Sequence, residues 1–170
     1  MASLGFKTLT VDNWLKADPA SSSYAIVTPE GQVDPTPEAW VKLILHPRLD
    51  AAVPDEIQSL YEVARGAMAY GYLFYPLYTL AAEQLLRVAE TAVAAKCKLM
   101  NAPKSVERFA QRIEWLAGKG VIPEHQKDPW NRLRILRNVS SHPDAQTIFA
   151  PGDTIGILVR VAEKVNSLFA

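Results

Sequence analysis

From Pro54 to the C-terminus the apolar residues recur at the spacing of an α-helix, segment after segment, and no stretch of useful length alternates as a strand would. Ile57, Leu60, Tyr61, Ala64 and Met68 mark one face of a first helix. The stretch from Gly71 to Pro76 should end or kink it, because proline lacks a backbone donor and disfavours helix at the residue before it. A second, long helix is expected from Pro76 to Met100, with Leu77, Leu80, Ala81, Leu85, Val88, Ala89 and Ala92 as its broad apolar face. Ser105 is expected to cap a third helix carrying Val106, Phe109, Ile113 and Leu116, with Gly118 and Gly120 as a left-handed stop. A fourth should begin at Asp128-Pro129, a side-chain cap followed by proline at the first helical position, and stop before Pro143. A last helix should follow Pro151-Gly152-Asp153 and turn Leu158, Val161, Val165 and Leu168 inward. These patterns predict an all-α fold, a helical bundle of about four to five helices over residues 54–170.

Residues 1–53 read differently. They contain Pro19, Pro29, Pro35, Pro37 and Pro47 and the run Ser21-Ser22-Ser23, so a partly irregular N-terminal arm is expected. Two short helical pieces fit within it, near Val11–Lys16 and at Pro37–Leu45, the second with Thr36 as cap and Pro37 at the first position. Trp14, Tyr24, Trp40 and Leu43 predict that the arm packs on the body. The organisation is therefore an arm at 1–53 and a helical domain at 54–170.

Composition excludes several classes. Apolar residues make up 49% of the 170 and charged ones 21%, which is a globular balance. The single cysteine, Cys97, has no disulfide partner within the chain, and no Cys/His cluster has zinc spacing, so neither metal nor cofactor is expected and a reducing, cytoplasmic setting is. The opening Met-Ala-Ser-Leu-Gly-Phe-Lys lacks a basic segment followed by an apolar one, so no signal peptide is expected. The most apolar run, Pro76 to Ala95, is broken by Glu83, Arg87 and Glu90; it predicts a core helix and no membrane association. Net charge is zero, yet residues 1–95 carry 6 basic and 11 acidic side chains while residues 96–142 carry 10 and 4. A basic middle segment can form a local patch for phosphates, and it can equally be a set of solvated helix faces.

The segment Arg134-Ile135-Leu136-Arg137-Asn138-Val139-Ser140-Ser141-His142-Pro143 is the richest in chemistry. At about 100° per residue, Trp130, Leu133, Ile135, Leu136 and Val139 are expected on a core side, and Arg134, Arg137, Asn138 and Ser141 on a polar one. His142 precedes Pro143 and is biased out of the helix, so its imidazole can return toward the last turn, where Asn138 can orient it. Arginine near a helix end and histidine at its stop are also ordinary capping choices.

Arg137-Asn138-x-x-x-His142 resembles the Arg-x4–6-His motif of HEPN domains, named for higher eukaryote and prokaryote nucleotide binding, including the polar residue after the arginine. The order Arg112-Ile113-Glu114-Trp115-Leu116, Gly120-Val121-Ile122-Pro123, Trp130, Leu133-Arg134-Ile135-Leu136-Arg137-Asn138 and His142-Pro143-Asp144 resembles a group of bacterial HEPN-like domains, and Ala82-Glu83-Gln84-Leu85-Leu86-Arg87 resembles their long helix. The resemblance spans about residues 54–170 and departs at Arg137-Asn138-Val139-Ser140-Ser141, where many relatives have Gly-Asn followed by small or acidic residues. It implies an RNA- or nucleotide-binding domain, a metal-independent endoribonuclease of toxin or phage-defence type working as a homodimer and leaving 2′,3′-cyclic phosphate ends. In that scheme His142 is the general acid or base, Arg137 holds the scissile phosphate, and Asn138 orients the imidazole or the substrate. Arg134, Ser141, Glu83 and Arg87 would contribute to substrate binding, and an antitoxin or nucleotidyltransferase partner would be expected. The alternative is a catalytically silent module for dimerisation or protein interaction.

Other residues carry less. Glu83 and Arg87, four apart, can pair on one helix face. Tyr70, Tyr72, Phe74, Tyr75 and Tyr78 can stack bases, but around a Gly71/Pro76 bend they read better as core or dimer interface. Cys97 reads as a small buried apolar side chain, and His46 and His125 receive no role.

Overall fold

The computed structural model describes residues 5–21, 24, 26–28, 31–33, 36–140 and 148–170. Among them the fold is all-α, with six helices: α1 Pro37–Leu45, α2 Asp55–Tyr70, α3 Leu77–Leu99, α4 Phe109–Gly118, α5 Glu124–Ser140 and α6 Pro151–Phe169. A small antiparallel hairpin, β1 Ile26–Thr28 and β2 Gly31–Val33, precedes them, with Ile26 opposite Val33. No helix among the described residues is long and apolar enough to cross a membrane.

The core forms around α3, which packs against α2, α6, α5 and α4. At 23 residues it is about 35 Å long. It buries Tyr78, Leu85, Leu86, Val88 and Val93, with Ala81, Ala82, Ala89 and Ala92 between them letting neighbouring helices approach. Truncating a fully buried leucine such as Leu85 would cost about 2–5 kcal/mol. Leu80, expected on this face, is 54% exposed. The turn from α2 into α3 depends on Gly71: a Cβ there would lie 2.7 Å from the buried Tyr78 ring.

Residues 5–21, Tyr24 and α1 lie against this α2–α3 corner. Asp18 is fully buried, and its carboxylate accepts from the backbone N–H of Tyr75 at 3.0 Å and of Ala20 at 3.0 Å, while its own N–H donates to Tyr72 O at 3.0 Å. Tyr24 stacks on Tyr75, with the two hydroxyls 2.7 Å apart. Trp40 is buried against Tyr78. Arg65 of α2 donates to the terminal carbonyls of α1 at Ile44 and Leu45 and pairs with Glu62. Trp14 and Leu43 make no such anchor and are exposed. The Val11–Lys16 stretch is a turn and not a helix, because the Asn13 side chain takes the Thr10 N–H and donates to the Thr8 carbonyl, competing with helical bonding.

Three helix starts differ from expectation. Ser105 does not cap α4; Gln111 reaches back to the N–H of Arg108 at 2.9 Å, so the helix opens at Phe109. Helix α5 begins at Glu124, with Pro129 inside it. Its extra first turn is held from outside, by Lys127 on Glu114 at 2.7 Å and by Lys164 on Gln126 at 2.8 Å, which offsets the backbone bond that Pro129 cannot donate. Helix α6 takes Pro151 as its first residue. The α4 stop uses Gly120 alone, at φ +72°.

Candidate functional site

The side chains of interest converge where α5 crosses α3. Trp130 and Leu133 of α5 are buried, and Arg137 follows them at the i+7 and i+4 positions of the same stripe. That stripe faces α3, so Arg137 points into the helix crossing rather than onto a separate polar face. There its Nε donates to Glu90 Oε2 at 2.9 Å, with the two side chains 39% and 27% exposed. A half-exposed pair of this kind contributes roughly 0.2–1 kcal/mol, enough to orient a guanidinium without locking it.

Beside this pair a cleft of about 400 Å³ opens, lined by Glu83, Leu86, Arg87, Arg137 and Ser140. Glu83, Arg87 and Glu90 stand at i, i+4 and i+7 of α3 and present one polar edge. Glu83 and Arg87 do not form an ion pair; among the described residues the pairs are Arg65–Glu62, Lys127–Glu114, Lys127–Glu124 and Arg137–Glu90. Arg87 and Glu90 also border a neighbouring groove of about 390 Å³ that reaches Arg112. Three guanidiniums, from α3, α4 and α5, thus border these two adjoining openings, an arrangement suited to binding phosphate oxygens.

The structure brings together Glu83, Arg87 and Arg137 of the residues expected from sequence and adds Glu90, Arg112 and Ser140. Asn138 is exposed and absent from the cleft lining; adjacent helix positions diverge by about 100°. Arg134 turns to its own helix, its Nε donating to Asn131 at 3.0 Å. Ile135 and Val139, expected in the core, are 52% and 45% exposed, because the inward stripe is held by Trp130, Leu133 and Arg137. Ser141 and His142 lie outside the described residues. Glu90 could have been found from its heptad spacing to Glu83; Arg112 carried no local signal.

The aromatic cluster divides. Tyr75 and Tyr78 are core, Phe74 meets Phe6 edge-on, and Tyr70 is exposed. Cys97 is buried, and burial pushes its thiol above the ordinary cysteine range. Among the described residues no group of three or more His, Cys, Asp and Glu side chains is placed to hold a metal.

A family model described as "Domain of unknown function (DUF4145)" matches residues 67–168, more than half of the chain. The chain belongs to the DUF4145 family. The DUF4145 match opens inside α2 and runs nearly to the end of α6, so every residue of the cleft lies within it, whereas the arm and α1 lie outside. No curated protein and no solved structure matches the chain.

Proposed function

We propose that this chain is a HEPN-like domain that binds RNA or a nucleotide at the α3–α5 cleft, and that two copies cut RNA without a metal. The observation that carries the reading is Arg137 at the mouth of a polar cleft shared with Arg87, at the end of the helix whose next residues in the chain are Ser141 and His142. In this reading the Arg137 fork holds the scissile phosphate and stabilises charge on its oxygens. His142 takes the proton from the 2′-hydroxyl or delivers one to the departing 5′-oxygen, work suited to a group titrating near neutrality. The 2′-oxygen attacks phosphorus, the 5′-oxygen leaves, and a 2′,3′-cyclic phosphate remains. A homodimer would bring two such clefts together. A toxin or defence role beside an antitoxin or nucleotidyltransferase belongs to the same proposal, as does a cytoplasmic setting.

One observation favours the silent alternative. Arg137 is already engaged by Glu90, as a purely structural guanidinium would be. Incubating the purified protein with single-stranded RNA in excess chelator separates the two readings. The enzyme reading expects 2′,3′-cyclic phosphate ends from the wild type and a loss of about 100-fold or more for His142→Ala. RNA that stays intact at high protein concentration, or that His142→Ala cuts equally well, leaves the interaction module.

A further inference from the structure

A second pocket, sharing no lining residue with the cleft, lies between the start of α5 and the last turns of α6. Its floor is apolar: Ile122, Trp130 and Leu168 are all buried. Its polar groups are His125, Gln126, Glu163, Lys164 and Ser167. Lys164 is unlike its neighbour Lys127, which sits on the carboxylates of Glu114 and Glu124. Among the described residues Lys164 forms no ion pair. Its Nζ donates to the neutral Gln126 amide oxygen at 2.8 Å and lies 5.7 Å from the centre of the Trp130 ring. Burial holds this ammonium below the ordinary lysine range; Glu163 offsets part of that and Arg160 adds to it. A half-buried cation with only neutral direct partners gains from an anion brought into contact with it.

We infer that this pocket binds a small monocarboxylate with an apolar body, its carboxylate on Lys164 and its body on Ile122, Trp130 and Leu168. Size and charge narrow the class. The volume is about 210 Å³, below the ~300 Å³ where sites for larger ligands begin. That suits a small organic acid better than a whole nucleotide. Glu163, exposed and lining the same pocket, opposes a dianion more than a monoanion. The N-terminus of α5 opens there too, through His125 and Gln126, and favours a negative group.

The test is a titration of the ¹⁵N-labelled full chain with benzoate, benzyl alcohol and inorganic phosphate, followed at the Trp130 indole N–H. Benzoate should shift that resonance saturably, and Lys164→Met, which keeps the stem, should weaken binding at least about 10-fold. Lys164→Arg should retain part of it, which separates loss of charge from loss of fold. Arg137→Ala should bind benzoate as the wild type does, so this result is independent of the cleft's function. Equal benzoate binding by wild type and Lys164→Met would overturn the inference. So would benzyl alcohol or phosphate matching benzoate in the wild type, loss of binding in Arg137→Ala, or no saturable shift at Trp130.

Discussion

Arg137 sits where a leucine would continue the apolar stripe set by Trp130 and Leu133, and Glu90 supplies the counter-charge that makes its position tolerable. Both side chains keep contact with water, so under the proposed reading a phosphate would compete with Glu90 for the guanidinium. Cys97 illustrates the opposite environment. Its side chain is buried in the α3 core, Sγ lies 3.9 Å from the Arg112 carbonyl, and desolvation raises the thiol above its ordinary range. The thiolate, the reactive form, is therefore suppressed in the folded chain and restored on unfolding. Ellman's reagent at pH 8 should leave native Cys97 unmodified for many minutes and titrate one thiol per chain at once in denaturant; rapid reaction of the native protein would contradict the assigned burial.

Helix α5 shows how an element is settled by its neighbours. Pro129 removes the bond its N–H would give to His125, and contacts from α4 and α6 hold the turn before it. Pro129→Ala should restore that bond and raise stability by about 1–3 kcal/mol, part of the gain being returned through the more flexible unfolded chain. Denaturant melts of the two proteins check this; an alanine form no more stable than the wild type would mean that the helix is effectively broken there. The same element explains what was legible in the sequence. Asp128-Pro129 is a sound local start signal, and the turn before it is held in part by the ion pair to Glu114 and the hydrogen bond from Lys164, neither visible in the segment itself. The spans of α1, α2 and α3 were legible because Thr36-Pro37, the Ile57–Met68 stripe and Pro76 each carry their own boundary signal. Within the cleft, Glu83, Arg87 and Arg137 could be anticipated as a group. Arg112 could not, since its place depends on how α4 packs on α3, and the outward turn of Ile135 and Val139 follows from Arg137 taking the inward stripe.

At the scale of the molecule, α3 serves as both core and site wall. Its apolar side gathers α2, α4, α5 and α6, and its edge of Glu83, Arg87 and Glu90 borders both openings. The chain has no net field to attract RNA, so under the proposed reading affinity would have to come from guanidiniums brought together by the fold. The most direct test is the affinity of a labelled single-stranded RNA oligonucleotide, measured by fluorescence anisotropy at fixed moderate salt, for the wild type, Arg137→Ala and Glu90→Gln. Binding should be saturable, weaken about 10-fold or more without Arg137, and tighten when Glu90 no longer competes for it. The same affinity in all three proteins, or none in any, would contradict it.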